Sequence, residues 1–245
     1  RGKVKQGVKA TTIATYRAKL NPFFKWLRHK GYIAASPFDG IPYPKVSYDE
    51  PKYLKKSQIE KVITAISFSI PWSSVFVQKR NLAIIMVLLY TGIRKSELLN
   101  LKMQDLDLMR NELKISAATS KSKQHKTQPL NYLVSRKLAE YLEERKQKLH
   151  TTAYLFTADR RDEPFSEQGL KHLLKQIRRA SGVRFHAHQL RHTFAVNLIS
   201  SGSDISVVQK LMGHKSLTST LTYLRCIPSR TMRQSVDALS FENLV

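Results

Sequence analysis

Apolar residues recur at helical spacing through most of this chain and alternate as in a strand at only one place. Ile13, Tyr16, Leu20, Phe23, Phe24 and Leu27 fall on one helical face, predicting a helix from a Thr11 or Thr12 cap to about Lys30, with Gly31 as its stop. Pro22 lies inside that stretch and is expected to kink or split it. Pro37, Pro42, Pro44 and Pro51 then remove backbone donors, so 32–52 reads as a turn followed by a linker. Ser57-x-x-Glu60 has the form of a capping box opening a helix to about Ile66.

The run 82–90 is uniformly apolar and predicts a buried helix over 78–91, closed by Gly92. A short helix follows over 95–101. Residues 112–117 and 127–133 read as strands flanking a polar, basic turn at 120–126, which together form a β-hairpin. A further helix over 134–149 carries Leu138, Leu142 and Leu149. A short strand at 154–156 precedes a helix that Ser166 caps and that runs to about Ala180. Helices over about 187–200, 204–212, 216–224 and 230–239 complete the chain. The pattern predicts a mainly α protein with a small antiparallel β-sheet, in the α+β class, and no internal repeat.

Composition narrows the function. The chain has 245 residues and is 42% hydrophobic, enough for a substantial core. It carries 42 Lys+Arg against 18 Asp+Glu, a formal charge of +24, which points to a polyanion and first of all to nucleic acid. The apolar run of nine residues is too short to cross a bilayer, and no signal peptide is visible. Cys226 is the sole cysteine, so no internal disulfide forms and a reducing, cytoplasmic compartment is expected. It reads as a small buried filler. No CxxC or clustered histidine spacing suits zinc. The chain begins at Arg1 rather than Met, which points to a fragment or a processed chain.

The candidate chemistry lies in four places. His188 and Arg191 are three apart and share a helix face. His214 follows Gly213, and Tyr223 comes nine residues after it. Arg94 follows Thr91-Gly92-Ile93 at a helix start, with Glu97 one turn on, placed to orient a neighbouring group. Lys121 and Lys123 sit at the tip of the hairpin. Arginine forks bind phosphate, histidine moves protons near neutral pH, and a tyrosine hydroxyl can be a nucleophile. Each signal alone has an ordinary alternative: a surface ion pair, a buried histidine, a core tyrosine, a solvated lysine. His186 and His192 are left outside the chemistry, His192 as a packing or hydrogen-bonding residue.

Taken in order, these segments are specific. Thr-Gly-Ile-Arg-Lys-Ser-Glu-Leu from Thr91, His-Gln-Leu-Arg-His-Thr-Phe-Ala from His188, and Leu-Met-Gly-His-Lys-Ser-Leu-Thr-Ser-Thr-Leu-Thr-Tyr ending at Tyr223 resemble the tyrosine recombinase (phage integrase) family. The resemblance implies a catalytic domain over 57–227, a linker at 46–56, and at 1–45 the last part of a helical core-binding domain that clamps DNA. It further implies a tail helix at 228–245, with Met232, Val236 and Leu239 in register, that docks on its own domain or on a neighbouring protomer.

The implied activity is site-specific recombination of double-stranded DNA by a homotetramer, two dimers on two sites, without metal or other cofactor and without a membrane. In a bacterial or archaeal cell such an enzyme would be associated with the nucleoid. Tyr223 would attack a phosphodiester to give a 3′-phosphotyrosine, with strands exchanged through a Holliday junction. His188 would be the base, and Arg94, Arg191 and His214 the partners of the phosphate. Lys121 would be the general acid, with Lys123 fitting almost as well. Two other readings share much of this inventory: a type IB topoisomerase, and a non-catalytic DNA-binding regulator on the same fold.

Overall fold

A computed structural model describes residues 7–46, 51–117, 125–214 and 216–226. The chain divides into two compact units, Arg1–Asp49 and Glu50–Val245. The expected 228–245 helix and the hairpin tip with Lys121 and Lys123 lie outside the described residues.

In the first unit, helix α1 spans Ala10–His29 and runs through Pro22 without splitting. The reason lies in what packs along it. Phe24 meets Phe38 edge to face at 5.3 Å. Arg17 donates to the carbonyls of Pro42 (2.8 Å) and Phe38 (3.3 Å) and lies over the Phe38 and Tyr43 rings. These contacts bind the following segment to the helix and offset an interior proline's cost of about 3 kcal/mol.

The second unit is built around α3 (Val75–Thr91). It starts three residues earlier than the apolar run suggests, because Ser74 Oγ accepts from the Val77 N–H. Residues 83–89 are all buried, so the helix is apolar around its whole circumference rather than along one stripe. Helices α5 (Tyr132–Gln147) and α7 (Ala187–Ser200) flank it. Each fully buried Ile or Leu on α3 stabilises the fold by about 1.5–3 kcal/mol. At its C-terminus Gly92 takes a left-handed conformation (φ 60°), and α4 (Lys95–Leu99) begins three residues later.

Helix α2 (Lys56–Thr64) opens before the expected Ser57 cap. The Lys55 N–H donates to Gln58 Oε1 (2.9 Å), which satisfies the first turn two positions ahead of the Ser-x-x-Glu box. The preceding Leu54 is pinned by its own N–H on Thr193 Oγ1 (2.9 Å). A π-helical turn, Ala65–Ser69, extends α2.

The sheet has three antiparallel strands in the order β1 (Leu106–Asp107), β2 (Glu112–Ile115), β3 (Lys126–Pro129). The hairpin is the expected one, with Ile115 opposite Lys126 and Glu112 opposite Pro129. It is shorter on the β3 side than expected, because Asn131 caps α5 by accepting from the Leu133 N–H. Strand β1 escapes the pattern, being only two residues long. The 154–156 segment forms only an isolated bridge, Tyr154 to Lys102, rather than a strand.

Helix α6 (Glu167–Ser181) has the expected Ser166 cap. Helices α7 and α8 (Ile205–Met212) fall where the pattern puts them. The last expected helix of the described part is divided into α9 (Thr218–Leu221) and a 3-10 turn, Thr222–Cys226. A second, smaller core joins α7, α8 and that turn through Phe194, Val196, Val208, Met212, Tyr223 and Cys226.

Candidate active site

Two left-handed glycines build the site from opposite sides. Gly92 ends α3, and its carbonyl accepts a hydrogen bond from Arg191 on α7. Gly213 ends α8 (φ 61°) and delivers His214 beyond it. At that end of α8 three successive carbonyls each accept from a different cation: Leu211 from Lys126 Nζ (3.2 Å), Met212 from Arg191, and Gly213 from Arg94 (3.4 Å). The last carbonyls of a helix have no partner within it and form the negative end of its dipole. Cations from the N-cap of α4, from β3 and from α7 are drawn to this one turn.

Glu97 is the other anchor. It is fully buried, with one oxygen 2.9 Å from an Arg94 guanidinium nitrogen and the other 2.8 Å from the Arg94 backbone N–H. Lys126 Nζ lies 3.9 Å from the same carboxylate. Burial alone would raise the Glu97 pKa, but the Arg94 N–H and the Lys126 and Arg94 charges hold it below the usual range. Burial, with Arg191 and Arg94 nearby, brings the Lys126 ammonium down to about 8 in spite of Glu97. Arg191 is 2% exposed and is lowered to about 10 by burial and then by Arg94. Three cations against one carboxylate leave a formal excess of +2 at the centre of the site.

Arg94, His188 and Arg191 line one cleft of about 580 Å³, with Lys95, Lys171 and Arg178 around its rim. An arginine has five N–H donors, so the carbonyl bonds leave others directed to the cleft. Burial and the two arginines lower the His188 pKa. The same causes, burial first, bring His214 to about 4. Its Nδ1 pairs with Thr220 Oγ1 (2.9 Å). A neutral ring whose Nδ1 accepts there carries its proton on Nε2, as a donor.

Tyr223 is only 3% exposed, in the 3-10 turn, with its ring stacked at 6.3 Å on that of His214. Burial raises its pKa, partly opposed by Arg191. Its hydroxyl is 2.9 Å from Nδ1 of His192, not of His188. The two histidine rings meet edge to face at 4.3 Å.

The structure therefore brings together Arg94, Glu97, His188, Arg191, His214 and Tyr223. It adds two residues that the sequence reading left out. His192 reads from sequence as a packing or hydrogen-bonding residue; its i+4 spacing from His188 is the available signal. Lys126 reads from sequence as the end of the hairpin turn. In a strand its side chain alternates with those of its neighbours, and only the register opposite Ile115 sets the face it takes. Among the described residues no cluster of metal-ligating side chains occurs, and no helix is long and apolar enough to cross a membrane.

Residues 52–229 match the model of the phage integrase family. The chain belongs to this family. Its members, the tyrosine recombinases, cleave and rejoin DNA. It is 32% identical over 226 residues to tyrosine recombinase XerC of Bacillus pumilus, covering 89% of this chain and 71% of that protein. It is 31% identical over 224 residues to tyrosine recombinase XerD of Listeria innocua, covering 89% and 73%. Among solved structures, XerA recombinase aligns with a TM-score of 0.65 at 27% identity over 81% of this chain and 67% of that one. XerH recombinase bound to a palindromic difH substrate, in a post-cleavage complex, shares the fold with a TM-score of 0.76 at 24% identity, covering 94% and 67%. This chain is thus a tyrosine recombinase with a mainly helical catalytic unit and a small antiparallel sheet.

Proposed function

We propose that the chain is a site-specific DNA recombinase that works through a 3′-phosphotyrosine intermediate. The observation that carries this reading is the convergence of Arg94, His188 and Arg191, from separate segments, on one cationic cleft, with the stacked rings of His214 and Tyr223 close to the Arg191 charge. The scissile phosphate enters that cleft. Tyr223 attacks phosphorus, and the bond to the 5′-oxygen breaks. The pentacoordinate transition state carries more negative charge than the diester. The +2 excess, fixed in advance by the α8 carbonyls and Glu97, stabilises that charge without reorganisation. His214 donates from Nε2 to a non-bridging oxygen.

Lys121, or Lys123 beside it, protonates the leaving 5′-oxygen. The phosphotyrosyl bond retains the energy of the diester, so a 5′-hydroxyl from another duplex rejoins the strand without ATP. Two duplexes and four protomers form the working complex. The surplus positive charge holds duplex phosphates, and binding weakens steeply with salt. The relative captured with difH after cleavage supports DNA as the substrate.

The test is covalent trapping on a nicked suicide duplex. The wild-type chain forms an SDS-resistant protein–DNA adduct in the presence of EDTA. Tyr223→Phe binds the duplex and forms none. An adduct that persists in Tyr223→Phe, or that depends wholly on magnesium, refutes this reading.

A further inference from the structure

We propose that His192, rather than His188, is the catalytic residue that takes the proton from Tyr223 as the tyrosine attacks. The inference rests on Tyr223 being the nucleophile. The Tyr223 hydroxyl is 2.9 Å from His192 Nδ1, within the range for proton transfer through a direct hydrogen bond. The rings are 5.5 Å apart and inclined at 57°, so the hydroxyl meets the imidazole at its nitrogen rather than stacking on its face.

Position fixes the pair. His192 sits on α7 next to Arg191, which is locked by the Gly92 and Met212 carbonyls. Tyr223 is held by the small core of Phe194, Val196, Met212 and Cys226. His188 lies one turn before His192 and faces the arginine cleft, so the ring between it and the tyrosine is that of His192.

Charge suits the role. Among the described residues, the titratable and charged groups around His192 are His188 and Arg191 on its own helix and Tyr223 from the 3-10 turn. Burial, then His188 and Arg191, bring its pKa to about 4, so the ring is neutral and able to accept at neutral pH. A phosphate between Arg94 and Arg191 offsets their charge and makes the imidazole a stronger base as the substrate seats.

The step balances. The Tyr223 O–H bond breaks and its proton goes to Nδ1 of His192, whose Nε2 already carries one. The phenolate oxygen forms the bond to phosphorus. The P–O5′ bond breaks, and its electron pair leaves on the 5′-oxygen, which takes a proton from the hairpin lysine. In rejoining, His192 returns its proton to the tyrosine oxygen.

The test compares His192→Ala and His192→Asn in the full chain. Asparagine keeps a hydrogen-bonding group near the Nδ1 position but cannot take up the proton. The probe is a nicked duplex carrying the site recovered by covalent trapping with the wild-type chain, and gel shift on the same duplex reports binding. The expected result is normal DNA binding with adduct formation slowed about 10²-fold or more in both variants. The acid limb of the wild-type pH–rate profile is expected to be absent from both.

An asparagine variant within tenfold of wild type makes His192 an orienting group and overturns proton transfer. An alanine variant within threefold also overturns it while leaving Tyr223 as nucleophile. If the alanine variant loses fold or binding, the asparagine variant decides. A wild-type chain that forms no adduct overturns the proposed function itself.

Discussion

Arg94 and Glu97 are joined twice, once through the guanidinium (2.9 Å) and once through the Arg94 backbone N–H (2.8 Å). One buried carboxylate thereby fixes both the start of α4 and the direction of the arginine that faces the cleft. It also balances part of the charge of Lys126. Removing one partner of a buried pair leaves the other uncompensated. Glu97→Ala is therefore expected to lower stability by about 3–5 kcal/mol. Glu97→Gln, which keeps an acceptor for the N–H, loses less. Chemical denaturation of the DNA-free protein measures both; a Glu97→Gln variant as stable as wild type refutes the charge argument, and equal losses refute the contribution of the retained acceptor.

Gly92 answers to two constraints at once. Its φ of 60° is strained for any side chain, and a Cβ there would lie 2.3 Å from the Phe194 ring. Its carbonyl also holds Arg191. Gly92→Ala is expected to cost at least about 1–3 kcal/mol, since strained backbone and overpacking each carry such a cost. Covalent adduct formation falls further than stability does, because α7 shifts with Phe194. A variant with wild-type melting and adduct rate contradicts this.

Lys126 and the hairpin-tip lysine separate by leaving group. Lys126 donates to the Leu211 carbonyl and faces Glu97, so its role is to tie β3 to the His214 turn. A 5′-thiol leaves far more readily than an alcohol and needs no acid. Lys121→Ala should recover cleavage on a 5′-bridging phosphorothiolate duplex, whereas Lys126→Met should stay slow on both substrates. Full recovery of Lys126→Met by sulfur makes Lys126 the acid instead.

His192 and His214 link stability to pH. Both are brought from 6.5 to about 4 in the fold, mainly by burial. A depressed folded value means that the unfolded chain binds protons first. The stability they contribute is present in full above pH 6.5 and is lost as pH falls through 4. Discounted for the partial solvation of the rings, each contributes about 1–2 kcal/mol. The DNA-free melting temperature should fall between pH 6.5 and 4, and less steeply in a His192→Asn, His214→Gln double variant. Parallel curves for the two proteins rule this out.

Much of the fold was legible in the sequence because its signals are local. The apolar run of α3, the Ser166 cap, the glycine stops at Gly92 and Gly213 and the hairpin alternation all act within a few residues. The misplacements have local causes too. Gln58 satisfies the α2 start ahead of the Ser57 box, and the two-residue β1 is too short to show a period. The spacing of His188 and Arg191, and the positions of Arg94 and His214 at element ends, were legible because each lies on or beside a helix with local end signals.

The sequence by itself determined most of the helices and the charge, and it singled out Arg94, His188 and Arg191, which line the cleft, with His214 and Tyr223 near them. Only the tertiary structure decided which histidine meets the tyrosine and which lysine meets Glu97. Both depend on contacts between segments far apart in the chain: His192 with Tyr223, and Lys126 of β3 with the last turn of α8. Helical spacing puts His188 and His192 on nearly the same face. The packing of the 3-10 turn against α7 selects between them.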